Sequence, residues 1–182
     1  MTWLEVEPPQ SAEYDDFYRG YIEQVEGTQL SLILRRQRTA VLDLLEELDD
    51  ERARYRYAPD KWSIKEVIGH LIDTERVFAY RAMSIARGER QPLPGFDQDA
   101  YVEAGRFDQR SVESLAADYR GVRDATIAFF ESLDEGSWSA RGTANDAVIS
   151  VRAIAFIIPG HEAHHLEVLR QRYLTGSRAE GE

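Results

Sequence analysis

The chain has 182 residues, 43% hydrophobic and 30% charged, which suits one domain with a packed core and excludes a charge-rich disordered chain. Its 22 Lys and Arg against 33 Asp and Glu give a formal charge of −11, which repels a phosphate backbone, so no nucleic-acid partner is expected. The absence of cysteine removes disulfides, thiolate zinc sites, iron–sulfur clusters and a cysteine nucleophile together.

The opening residues lack a basic segment leading into an apolar one, and no apolar run approaches the ~20 residues of a membrane span. A cytoplasmic protein with no membrane partner is therefore expected. Helical periodicity dominates and period-two alternation is almost missing, which predicts an all-α fold. The reading is one domain over 1–182, with its core over about 12–174 and a disordered tail over 175–182.

Within the acidic first 26 residues, Tyr14, Phe17, Tyr18, Tyr21 and Ile22 are spaced for one short extra helix. Leu30, Ile33, Leu34, Val41, Leu44, Leu45 and Leu48 then repeat the spacing of one buried face and predict the first long helix, from about 28 to 50. The next helix, over 64–87, has the clearest start, because Ser63 and Glu66 form a capping box and Trp62 and Val67 can staple it. Its buried stripe passes through His70, Leu71, Thr74 and Phe78, and Gly88 supplies a left-handed stop. Pro92, Pro94 and Gly95 predict that 89–110 is a long connection, either a binding loop or a plain crossover. Val112, Leu115, Tyr119, Val122 and Phe129 predict a third long helix over 111–133, followed by a loop at Gly136 and Gly142. Ser150 can cap the last helix, and Pro159 should kink it or make it restart.

All four histidines fall in two places, His70 on the second long helix and His161, His164 and His165 on the last. Residues four apart share a helix face, so His161 and His165 can aim two imidazoles at one point, and His70 can add a third if the two helices pack together. Three neutral imidazoles suit a divalent transition metal and leave a coordination position open. The bland reading, hydrogen-bonded core histidines, is favoured for His70 taken alone but not for the pair. His164 points away from that direction and is read as a supporting or surface residue. The segment His161-Glu162-Ala163-His164-His165 also fits the His-Glu-x-x-His pattern of zinc proteases. Val168 and Gln171 stand where the extended form of that motif wants Gly and His, and no sheet is expected to hold a peptide, so a protease is set aside. Glu162 and Asp73 are the candidate proton acceptors for a nucleophile at the metal.

The stretch from Tyr57 to Leu71, with Trp62-Ser63-Ile64-Lys65-Glu66 and His70, followed by Asp73, Glu75, Arg76 and Arg81, resembles the first signature of the DinB-like (YfiT-like) metalloenzyme superfamily. His161-x-x-His164-His165 resembles the second, and the likeness spans roughly 12–174. The resemblance implies a four-helix bundle of unusual connectivity, frequently a homodimer, with a divalent metal such as zinc or nickel held by three histidines. Those ligands map onto His70, His161 and His165. The error-prone polymerase that shares the name is unrelated, and no polymerase motif is present. Some members use low-molecular-weight thiols such as mycothiol or bacillithiol, which implies a metal-dependent S-transferase acting on a small electrophile. The alternative is a non-catalytic binding or stress-response protein in which the metal only ties helices together.

Overall fold

The computed structural model describes residues 5–174, so the expected tail lies outside the described residues. In chain order the elements are α1 (Arg19–Ile22), α2 (Leu30–Glu46), α3 (Ile64–Ala86), α4 (Gln98–Gly105), α5 (Val112–Glu131), β1 (Arg141–Ala144), β2 (Ala147–Ser150) and α6 (Val151–Val168). The four long helices α2, α3, α5 and α6 form the bundle. Because α2 and α3 each pack on both α5 and α6, the ring order is α2–α5–α3–α6. The connections α2 to α3 and α5 to α6 therefore cross the diagonal of the bundle, which short antiparallel hairpins could not do.

The local start signals act as the sequence implies. Ser63, Ser111 and Ser150 each accept, through Oγ, the backbone N–H three residues on, at 3.1, 3.1 and 2.9 Å. The box at α3 is closed by the Ser63 N–H donating to Glu66 Oε2 at 2.8 Å. Gly88, with φ +89°, ends the turn after α3.

Two clusters of buried apolar side chains fill the bundle, and each long helix passes from one to the other across polar residues. On α3 the switch comes between Ile72 and Phe78, on α5 between Tyr119 and Ile127, and on α6 between Ile158 and Leu166. The residues in those gaps include Glu75, Arg123, His161 and Glu162, all buried. A charged layer across the middle of a core costs stability unless every group is paired, so its presence marks where to look for function.

The structure departs from the sequence reading in four places. The amino-terminal helix is broken into two 3-10 turns, Ser11–Glu13 and Asp16–Tyr18, and the four-residue α1. This segment is held down by tertiary contacts, since buried Glu13 accepts from Ser150 Oγ at 2.8 Å and pairs with Arg152. The connection over 89–110 contains α4, capped by Asp97, which accepts from Asp99 N at 3.0 Å and Ala100 N at 3.2 Å. The loop before α6 is a β-hairpin whose two turn residues, Asn145 and Asp146, have φ of +52° and +61°, the geometry of a tight primed turn. Finally, α6 runs through Pro159 without a restart, because packing against α1, α2 and α3 holds it on several sides, with Gln37 of α2 donating to the Pro159 carbonyl at 2.8 Å. The irregular turn comes later, as a π-helical turn over Leu169–Tyr173. Among the described residues, no helix is long and apolar enough to cross a membrane.

Candidate metal centre

Where α3 meets α6, three imidazoles converge. His161 Nε2 lies 3.0 Å from His70 Nε2 and 3.1 Å from His165 Nε2. An imidazole nitrogen offers one in-plane lone pair or one N–H, so His161 Nε2 cannot make two good hydrogen bonds to its neighbours at once. A divalent cation would resolve the conflict by accepting all three lone pairs. Tetrahedral zinc–imidazole bonds of about 2.0–2.1 Å imply nitrogens about 3.3–3.4 Å apart, so the two pairs through His161 need to spread by only a few tenths of an ångström, and all three nitrogens already lie within 4.8 Å of one another. The donor set fits such an ion. Thr74 Oγ1, one turn along α3, lies 3.3 Å from His70 Nδ1 and can take its N–H, fixing the tautomer that presents Nε2.

Burial keeps these rings neutral. Desolvation pulls His70 down to about 4 and, aided by its histidine neighbours, His165 down to about 3. It pulls His161, which lies between them, well below the usual histidine range. At neutral pH the three rings could therefore accept a cation without first losing a proton.

A cavity of about 240 Å³ opens onto His70 and His161. Its walls come from five parts of the chain: Phe17, Tyr18 and Tyr21 ahead of and on α1, Phe78 and Arg81 on α3, Phe96 before α4, Asn145 at the hairpin tip, and Ile157 on α6. Two glycines make this assembly possible. A Cβ on Gly160 would lie 1.9 Å from the Tyr21 carbonyl oxygen, so only glycine lets α1 rest on α6 and bring the Tyr21 ring edge-on to His161, with centroids 5.3 Å apart. A Cβ on Gly95 would lie 2.1 Å from Asn145 Oδ1, so a larger residue there would push the Asn145 side chain out of its present place at the hairpin tip. Among the described residues, no fourth His, Asp or Glu joins the three histidines. A larger open groove of about 520 Å³ between α3 and α5 contains no histidine, whereas the smaller cavity is lined by two of the three.

The model of the DinB superfamily matches residues 33–169. The chain belongs to the DinB superfamily. Among solved structures, it is similar to YfiT from Bacillus subtilis, described as a probable metal-dependent hydrolase with an unusual four-helix bundle topology. The two share 17% identity at a TM-score of 0.65, over 92% of this chain and 93% of that one. It is also similar to a mycothiol-dependent maleylpyruvate isomerase, at 11% identity and a TM-score of 0.62, over 75% of this chain and 58% of the isomerase. At these identities the likeness shows the fold. No curated protein matches the sequence.

Around the centre of this DinB-superfamily chain, the remaining candidate residues are placed unequally. Glu162 is fully buried next to His161, where its Oε2 accepts from Tyr119 Oη at 2.8 Å and from Arg123 Nη2 at 2.7 Å. Arg123 also binds Glu75, at 2.7–3.1 Å, so two carboxylates share one guanidinium. Burial raises the Glu162 pKa, and the Arg123 charge opposes the rise. Glu162 Oε1 has no hydrogen-bond partner, and the residue lines a space of about 10 Å³ shared with His161 and Thr74, enough for one water. Asp73 is not brought to the histidines. It accepts from Arg76 at 3.1 Å and senses Asp118 and Arg110 on the α5 side, with burial raising its pKa. His164 is half-buried and turns toward Tyr21, with ring centroids 5.6 Å apart.

Sequence reasoning did not assign Tyr21, Arg81, Arg123 or Asn145 to the site. Arg81 was legible in principle, since 70, 74, 78 and 81 lie on one helical stripe. The pairing of Arg123 with Glu75 and Glu162 spans 48 and 39 residues and left no local signal.

Proposed function

We propose that the protein is a divalent-metal-dependent enzyme that adds or transfers a low-molecular-weight thiol onto a small electrophile. The observation that carries the reading is the convergence of three neutral imidazole nitrogens, two of them from residues that line a cavity, with no fourth protein ligand among the described residues. His70, His161 and His165 would hold zinc, nickel or a similar ion, which supplies a Lewis acid that lowers the pKa of a coordinated thiol or water. Thr74 keeps His70 in the tautomer that offers Nε2. Glu162, through a water in the space at its free Oε1, is the proton acceptor closest to hand, held in place by Tyr119 and Arg123. Asp73, tied to Arg76, has no part in this scheme. The aromatic walls exclude water from the reacting groups and receive the apolar part of the substrate.

The absence of cysteine suits an enzyme whose thiol arrives as a cofactor, and one fold relative is a mycothiol-dependent isomerase. A structural metal would be closed by a fourth protein ligand, so the three-ligand set favours turnover over a purely binding role. A homodimer acting on a small molecule in the cytoplasm completes the proposal.

The test is an activity panel. Metal-loaded protein is incubated with bacillithiol, mycothiol, glutathione and coenzyme A against chlorinated aromatic and epoxide electrophiles, with His165→Ala as control. Metal-dependent turnover by at least one pair, lost in His165→Ala, is the expected result. Hydrolysis without any thiol would replace the transferase reading with a hydrolase, and no turnover at all would support the structural-metal alternative.

A further inference from the structure

Among the described residues, three Lys or Arg side chains lie almost wholly inside the protein: Lys65, Arg81 and Arg123, at 1, 2 and 0% exposure. Two of them have carboxylate partners. Lys65 pairs with Asp50 at 2.9 Å and Arg123 with Glu75 and Glu162. Arg81 has none among the described residues. Its Nη2 donates to the Pro94 carbonyl at 2.7 Å, it interacts electrostatically with the Tyr18 phenol, and its guanidinium lies 5.3 and 5.8 Å from the ring centroids of Phe78 and Phe96. A guanidinium carries five N–H donors, so these neutral contacts leave both its charge and part of its donor fork uncompensated. An isolated buried charge is costly, and such costs persist where the missing counter-charge is a ligand.

The position of Arg81 says which ligand. It lines the same cavity as His70 and His161, on the same stripe of α3. Eleven residues separate it from His70, or about 16 Å of helix axis at 1.5 Å per residue, and helical side chains lean back toward the amino terminus, which shortens the gap. Between the two ends the walls are aromatic, from Tyr18, Phe78 and Phe96. We infer that Arg81 binds the carboxylate of a small acid whose apolar or aromatic body lies along this cavity, with its other end directed at the three histidines. The fork of Arg81 matches a carboxylate better than a point charge would. Burial lowers the Arg81 pKa from its ordinary value, as expected of a cation lacking its counter-ion. The net charge of −11 does not steer anions toward the protein, so recognition rests on this one desolvated cation and the walls around it.

The inference rests on reading this cavity as the substrate site, and its test does not depend on turnover. Binding of 3-phenylpropionate and of its neutral isostere 3-phenylpropionamide is measured by calorimetry, for zinc-loaded and metal-free protein. The acid is expected to bind about tenfold more tightly than the amide, the worth of one charge-assisted contact, and to do so in both metal states. In Arg81→Met the preference should vanish while zinc stoichiometry is unchanged. Arg81→Lys, which keeps the charge and most of the stem, should retain part of it and serves as the folded control should Arg81→Met lose structure. A preference that survives in Arg81→Met, or that exists only when zinc is present, assigns the carboxylate to the ion and overturns the inference. Equal binding of acid and amide to the wild type overturns it as well. Failure of the metal-centre reading itself would appear separately, as the absence of stoichiometric zinc in the wild type.

Discussion

Lowering the pH should unfold the metal-free protein through its histidines. His70 and His165 are held at about 4 and about 3 in the fold, against an ordinary value of 6.5. Each is therefore neutral in the folded state and charged in the unfolded state over the window below pH 6.5. The sign follows from linkage: the unfolded chain binds more protons there, so stability is intact above pH 6.5 and is lost as pH falls toward the folded values. From pH 7 to pH 5 each such group removes about 2 kcal/mol, so the two together remove about 4 kcal/mol, a large share of the ~5–15 kcal/mol of a typical domain. His161, shifted in the same direction, adds to the loss. Urea denaturation of the metal-free protein at pH 7, 6 and 5 measures this directly, and His165→Ala should lose about 2 kcal/mol of the pH dependence. A wild-type stability that is flat between pH 6.5 and 5, or a dependence identical in His165→Ala, would refute the claim that burial holds these rings neutral.

Two further perturbations follow from the buried layer and the cavity wall. Replacing Arg123 with Met strands the Glu75 and Glu162 carboxylates in the core, and a loss of about 3–5 kcal/mol is expected in urea denaturation. A loss below about 1 kcal/mol would mean the carboxylates are already protonated. Gly160→Ala sets a methyl group against the Tyr21 carbonyl, so α1 must move off α6, at a cost of about 1–3 kcal/mol. Tyr21 fluorescence in an otherwise Tyr-to-Phe background should then report greater solvent exposure, and an unchanged signal would place the strain elsewhere.

The parts of this molecule that were legible in the sequence are those set by neighbours within one or two helical turns. Ser63 and Glu66 announce the start of α3 because both halves of the box lie within one turn. His161 and His165 disclose a shared direction for the same reason. His70, 91 residues away, becomes a third member of the group only when α3 packs on α6, and the sequence linked it to them through the family pattern. The hairpin was missed because strands of four residues give too little alternation to count, although the Asn145-Asp146 pair is a turn signal. The restart allowed for at Pro159 does not occur: the local loss of one hydrogen bond was weighed without the three helices that pack around α6. Glu162 was read as part of a local motif, whereas its partners Tyr119 and Arg123 come from α5.

The central claim is that three imidazoles from two helices form an open metal site. X-ray absorption spectroscopy of the zinc-loaded protein tests it most directly. Three imidazole nitrogens at about 2.0–2.1 Å and one exchangeable light-atom ligand from solvent are expected. A fourth protein ligand in the first coordination sphere, or a shell of oxygen atoms without imidazole, would contradict the account.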